Sequence, residues 1–206
     1  MLYYIFIIAN SKSLTLNAMK PLILTGMLAI IPVSVGLAAP LNYSDVAPVL
    51  LGRCVMCHIP NGMMGDPPEG YRLDSYEETV STADRARVVP GNSLASELYR
   101  RIKGHAIPRM PLNGPPYLSE EDIKRVAQWI DDGARDTSGS AAAEVAGARV
   151  RLHGKLTQKW KLDGLELTVH SGTRIKKSPG IGSYVRVDGR VSADGTTIIA
   201  DRIKRR

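Results

Sequence analysis

The chain is poor in the residue types that build disulfide frameworks and aromatic cores. Its 206 residues include two cysteines, one phenylalanine, two tryptophans and eight tyrosines. Two cysteines exclude a framework of several disulfides and a zinc site of four thiolates, so Cys54 and Cys57 can act only as a pair. With few aromatic side chains, the core must consist of aliphatic residues or include a large apolar cofactor.

Acidic residues are missing from the N-terminal segment, where the first carboxylate is Asp45. Lys20 precedes an uncharged stretch over residues 21–36, and Ala38 supplies a small-residue cleavage position. This pattern is typical of a secretory signal. A second apolar run over residues 2–8 leaves two alternatives: translation from Met19, or an uncleaved membrane anchor. We therefore expect residues 1–38 to be a signal peptide or N-terminal membrane anchor, and the chain to be exported to the periplasm.

The formal charge of +7 is distributed unevenly along the chain. Residues 39–137 hold 11 basic and 14 acidic residues, whereas residues 138–206 hold 14 basic and 6 acidic residues. A net charge of −3 beside one of +8 predicts two units that meet different partners.

Residues 42–136 have the pattern of a compact helical unit. Its last helix has the clearest boundaries: Ser119 is an N-cap residue, Asp122 follows three positions later, and Gly133 is placed for a left-handed C-terminal cap. Apolar residues between these caps repeat at the spacing of one helical face.

The hydrophobic period changes from helical to alternating after residue 147. Residues 137–147 are rich in Ser, Ala and Gly and are typical of a linker. Beyond them, Val150 and Leu152, and then Leu165 and Leu167, alternate with polar residues. Four or five short strands separated by Gly turns predict a small barrel or meander over residues 148–206.

The sequence Cys54-Val55-Met56-Cys57-His58 is the C-x-x-C-H signature of covalent haem attachment. At this spacing two thiols can add to the two vinyl groups of the porphyrin, and His58 is carried beneath the iron. A dithiol oxidoreductase would place the pair at a helix N-terminus within a βαβ unit, whereas here it follows a helix. A zinc site would need two more ligands, and His105, His153 and His170 have no paired spacing.

The sixth iron ligand is predicted to be Met110, which lies 52 residues after His58. Pro108 and Pro111 flank it and restrict the backbone, which reduces the entropy lost when the thioether is presented to iron.

Other residues are weaker candidates for that position. Met56 lies inside the attachment loop, and Met63 and Met64 follow His58 so closely that we expect them to pack rather than to ligate. His105 is the alternative distal ligand.

Four runs give residues 43–136 a resemblance to a class I c-type cytochrome, in particular to planctomycete-type single-haem domains. They are Tyr71–Tyr76, Val89–Ile102, Arg109–Pro111 and Leu118–Ala134. The resemblance implies one haem c, held by Cys54, Cys57, His58 and Met110. The sequence departs from that family at Leu112, where many members have a second proline, and we expect an adjusted loop.

The C-terminal unit resembles small OB-like β domains of unknown function from exported bacterial proteins, on the run Val185–Gly189. OB-like barrels often bind single-stranded nucleic acid through aromatic side chains and basic grooves. Only Trp160 and Tyr184 are available for stacking here, so we do not expect a nucleic-acid partner.

These patterns predict an α + β protein in two domains, an all-α class I cytochrome c fold followed by a small all-β OB-like barrel. The predicted function is an exported mono-haem one-electron carrier, not an enzyme, that exchanges electrons with a redox protein donor and acceptor. The basic β domain would dock on an anionic surface or an acidic protein, and the N-terminus could associate with a membrane. Two alternatives stay open: a haem sensor or peroxidase-like enzyme with an open distal site, and an adaptor whose basic barrel does the binding.

Overall fold

The first helix begins at a capping box in the structure, a computed structural model that describes residues 39–206. The Asn42 side chain accepts a hydrogen bond from the Ser44 N–H over 2.8 Å, and the Asp45 carboxylate accepts one from the Asn42 N–H, also over 2.8 Å. These contacts satisfy N–H groups that have no partner within the first turn. The helices are α1 (Tyr43–Arg53), α2 (Tyr76–Thr79), α3 (Glu97–Lys103) and α4 (Glu120–Asp131).

Helix α4 has the boundaries that its caps predict. The Asp122 N–H donates to the Ser119 hydroxyl over 3.0 Å, and Gly133 follows the helix with φ of 98°. Both predicted caps are confirmed. The apolar face of α4 packs against α1 in a first core, whose α4 members are Ile123, Val126, Trp129 and Ile130.

The C-terminal residues form a closed five-stranded barrel with a sixth strand at its side. Strands β3, β2, β1, β5 and β6 are neighbours in that order, and a parallel pairing of Leu167 with Ile198 joins β3 to β6 and closes the barrel. Strand β4 pairs with the far part of β6. The strands are β1 (Arg149–Gln158), β2 (Lys161–Leu162), β3 (Leu165–Thr168), β4 (Arg174–Lys176), β5 (Tyr184–Val191) and β6 (Ile198–Arg205).

The barrel core includes residues from the helical part of the chain. Ala86, Val89 and Ala95 are buried among the barrel's aliphatic side chains, and the Ala86 N–H donates to the carbonyl of Arg149 over 2.8 Å. The barrel core therefore contains side chains from both parts of the chain.

Arg100 of α3 is fully buried against the barrel. Its guanidinium group pairs with the Asp163 carboxylate, and its Nε donates to the His153 carbonyl over 2.9 Å. A Cβ atom at Gly154 would overlap both the Arg100 guanidinium and the Asp163 carboxylate, so strand β1 needs a glycine where this pair crosses it. The helical part is thus joined to the barrel by a buried ion pair as well as by apolar contacts.

The predicted fold class, an all-α class I cytochrome c fold followed by a separate barrel, is wrong. The described chain has four short helices and a closed five-stranded barrel with a sixth strand, all within one compact unit. The helical part encloses the first core by itself, but it also contributes Ala86, Val89 and Ala95 to the core of the barrel, so the two parts are not separate. The segment predicted as a linker packs against both parts of the chain. The Ala142 N–H donates to the Gly133 carbonyl over 3.0 Å, and Val145 contacts the barrel core.

The expected signal peptide or anchor at residues 1–38 lies outside the described residues. Among residues 39–206, no helix combines the length and the apolar character needed to cross a membrane.

Candidate functional site

The C-x-x-C-H segment forms a tight turn at the end of helix α1. Cys54 caps the helix, and its carbonyl accepts hydrogen bonds from the Cys57 N–H over 3.2 Å and from the His58 N–H over 3.0 Å. Cys54 is buried and Cys57 half-buried, and both are free thiols. The turn therefore gathers the two sulfurs and the imidazole in one short stretch of backbone.

The His58 ring is oriented by a backbone carbonyl. Its Nδ1 lies 2.8 Å from the carbonyl oxygen of Tyr71, and the Tyr71 ring packs edge-on at a centroid distance of 5.8 Å. A ring nitrogen held by a carbonyl carries the proton, which leaves the other nitrogen as the metal-binding atom. His58 thus has its Nε2 available to bind a metal.

A cavity of about 520 Å³ adjoins this turn. That volume lies within the range of about 300–1,000 Å³ that is usual for cofactor and ligand pockets. Four predicted site residues, Cys54, Cys57, His58 and Met110, all line it, together with apolar side chains such as Leu98 and Ile102. The structure therefore brings every predicted haem-binding residue to one cavity.

The segment that carries Met110 is held to α3 and to the barrel. The Met110 N–H donates to the carbonyl of Arg101 over 3.0 Å. The Arg101 guanidinium donates to the Pro108 carbonyl over 3.1 Å, and the Ile107 N–H donates to the Tyr184 hydroxyl over 2.6 Å. These contacts fix the backbone at Met110 and on its N-terminal side.

The other candidate ligands are placed less favourably. The expectation that Met63 and Met64 pack is wrong, because their exposed fractions are 70% and 61%. Met56 and Met64 line the cavity, but both lie within six residues of His58 in the chain. His105 lies outside the cavity, between the Tyr99 ring at 6.1 Å and the Asp163 carboxylate at 3.8 Å.

The side chains that line the cavity include seven arginines and two glutamates, which give the lining an excess of positive charge. Arg85 and Arg87 are both 5% exposed, although neither side chain was singled out by the sequence patterns. The buried Glu97 carboxylate pairs with Arg85 over 2.9 Å and with Arg101 over 3.3 Å. Asp84 also pairs with Arg85 and Arg87, and Asp188 pairs with Arg186, so four carboxylates serve the seven guanidinium groups and an excess of positive charge remains.

His153 of β1 lies among these arginines. Its ring stacks on Tyr184 at a centroid distance of 6.4 Å, and its buried Nδ1 has no hydrogen-bond partner among the described residues. Burial, followed by repulsion from Arg101, Arg206 and other nearby guanidinium groups, lowers the pKa of His153 to about 4. The imidazole is therefore neutral at pH 7.

In the sequence, this charged wall corresponds to the alternation of apolar and polar residues along β1. Val150 and Leu152 point into the barrel core, which places Arg151 and His153 on the opposite face. In an isolated barrel that face would be solvated. Here it faces the cavity because the helical part covers it.

The thiols do not have the features of a redox-active dithiol. Burial raises the pKa of Cys54 to about 11, whereas nucleophilic thiols have lowered pKa values. Among residues 39–206, no three His, Cys, Asp or Glu side chains are grouped as a metal site would require. A haem iron needs only two ligands from the chain, since the porphyrin supplies four.

No protein-family model, curated protein or solved structure matches this chain. Its function must be argued from its own residues.

Proposed function

We propose that this protein carries one covalently attached haem c and transfers single electrons. The observation that carries the proposal is the convergence of Cys54, Cys57, His58 and Met110 on one largely apolar cavity of about 520 Å³. Each thiol adds its sulfur and its hydrogen across one vinyl group, so attachment requires no oxidant. When bound, haem c supplies a reversible one-electron couple at its iron.

The chain's own residues set the properties of that couple. His58 is fixed by the Tyr71 carbonyl and offers Nε2 from one side of the cavity. Met110, on a segment anchored at Arg101 and Tyr184, lines the same cavity and would offer a thioether. Methionine ligation favours the reduced state and raises the reduction potential.

An electron carrier is favoured over a sensor or a peroxidase-like enzyme because Met110 lines the cavity and would supply the second iron ligand from the chain. Those alternatives require a site open to a small molecule. The anchoring of the Met110 backbone supports a thioether that stays in place during turnover.

We propose that the donor and acceptor are redox proteins met outside the cytoplasm, in keeping with the signal pattern of residues 1–38. Exposed apolar side chains, including Met64, Ile107 and Leu112, line the cavity and offer a contact surface. Exposed basic residues of β4, Arg174 and Lys176, would favour an acidic partner. Such attraction acts mainly on the association rate and weakens as salt rises.

Absorption spectra of the purified protein in both oxidation states test the proposal. The protein should be low-spin, with the far-red band of sulfur-to-iron ligation in the oxidised form. A high-spin spectrum would favour the sensor or peroxidase alternative. A low-spin spectrum without the sulfur band would reject Met110 and point to a second histidine, for which His153 is the cavity-lining candidate.

A further inference from the structure

One outward face of the barrel forms part of the cavity wall. Arg151 and His153 of β1 lie beside Arg186 of β5, because His153 and Arg186 are direct cross-strand partners in the antiparallel ladder. All three side chains line the same cavity as the C-x-x-C-H turn. The barrel is therefore a wall of the cofactor cavity rather than an independent module.

The charge on this wall is only partly neutralised. Arg186 pairs with Asp188 over 2.7 Å, and Arg151 pairs with Glu69 over 2.5 Å. The buried Nε of Arg151 has no hydrogen bond and lies 3.5 Å from Asp188. Glu69 also pairs with Arg85, and Asp188 lies near both Arg151 and Arg186, so two carboxylates serve three guanidinium groups and the wall keeps an excess of positive charge.

His153 lies in the same positively charged surroundings. Burial lowers the pKa of its imidazole, and repulsion from Arg101 and Arg206, and then from Arg186 and Arg151, lowers it further. A carboxylate bound here would reduce this repulsion. Guanidinium groups bind carboxylates through paired, charge-assisted hydrogen bonds.

We propose that Arg151 and Arg186 of the barrel bind a propionate carboxylate of the haem. The inference rests on the proposed function and adds a role for the barrel, which is to neutralise the acidic edge of the cofactor. A propionate neutralised by two guanidinium groups repels an added electron less. These side chains should therefore raise the reduction potential.

The test uses the haem-loaded full chain with Arg151→Gln and Arg186→Gln. Arg149→Gln on β1 and Arg190→Gln on β5 are matched controls, because both arginines are exposed, lie outside the cavity and belong to the same two strands. Each variant is measured by redox titration and by the propionate bending mode in the resonance Raman spectrum. The Raman mode reports hydrogen bonding to the carboxylate directly, which a distant charge does not alter.

Both glutamine variants should keep covalent haem and the low-spin spectrum, lower the reduction potential and shift the propionate mode. The two controls should leave the mode unchanged. Arg151→Lys is included in case Arg151→Gln fails to fold. Lysine keeps the positive charge but lacks the paired N–H donors of arginine. The reduction potential should therefore stay near that of the wild type, while the propionate mode shifts.

Two failures are distinguishable. A wild-type protein without covalent haem overturns the proposed function and this assignment together. A haem-loaded protein whose propionate mode is the same in the wild type, Arg151→Gln and Arg186→Gln overturns the propionate assignment alone.

Discussion

The backbone N–H of Ile107 donates a hydrogen bond to the side-chain hydroxyl of Tyr184, with 2.6 Å between nitrogen and oxygen. Tyr184 begins barrel strand β5, whereas Ile107 begins the segment that presents Met110. The position of the proposed distal ligand therefore depends on the barrel.

Removing that hydroxyl should loosen the Met110 segment. A hydrogen bond contributes about 0.5–1.5 kcal/mol net, so in Tyr184→Phe an added imidazole should displace Met110 with about 2- to 12-fold higher affinity. Titration with imidazole, followed by the loss of the sulfur-to-iron band, measures this change. Tyr99→Phe is the control, because the Tyr99 hydroxyl makes no side-chain hydrogen bond among the described residues. Equal imidazole affinities in the wild type and Tyr184→Phe would show that the barrel does not hold the segment.

Replacing Met110 by Ala should remove the sixth ligand. We expect a change from low-spin to high-spin iron, loss of the sulfur-to-iron band and a lower reduction potential, since methionine favours reduced iron. Met63→Ala should change none of these, because Met63 is 70% exposed and lies outside the cavity. A Met110→Ala protein that keeps the wild-type spectrum would exclude Met110 as the ligand.

The buried ion pair of Arg100 and Asp163 should matter for folding stability. Arg100→Met leaves the Asp163 carboxylate without its main partner in a buried site, which typically destabilises by about 3–5 kcal/mol. The matched control is Arg125→Gln, because Arg125 pairs on the surface of α4 with the exposed Glu121 and the half-buried Asp122. Surface pairs of this kind contribute about 0–1 kcal/mol. Urea unfolding of both variants gives the comparison, and equal midpoints would contradict the structural role of Arg100.

The helical part and the barrel should unfold together, because the helical part contributes side chains to the barrel core and buries Arg100 against the barrel. The chain has two tryptophans, Trp129 in α4 and Trp160 beside the barrel, so fluorotryptophan labelling gives one fluorine NMR signal for each part. Both signals should change at the same urea concentration, as expected for a cooperative unit. Two different urea midpoints would show that the helical part and the barrel unfold as independent domains.

Local sequence rules predicted the features that local chemistry determines. The caps of α4 depend on Ser119 and Gly133 and were predictable from residues a few positions apart. The attachment turn likewise depends on the spacing of Cys54 and Cys57. Such features need no knowledge of the rest of the fold.

These patterns did not predict that the helical part packs against the barrel. Arg100 stands in the run Tyr-Arg-Arg, and nothing local separates the fully buried Arg100 from the half-buried Arg101. Arg151 alternates with core residues and therefore has the pattern of a solvated strand face. The net charge of +8 in residues 138–206 suggested docking to a distant anion, whereas several of those arginines line the cavity within the same chain.

The most direct test of the central claim is whether haem stays bound to the chain after denaturation. The full chain is expressed together with haem-attachment machinery and extracted with acidified organic solvent, beside a Cys54→Ala, Cys57→Ala double variant. We predict that the wild-type protein retains its haem and that the double variant does not. Haem that passes freely into the solvent from the wild-type protein, or a purified wild-type protein that contains none, would contradict the account.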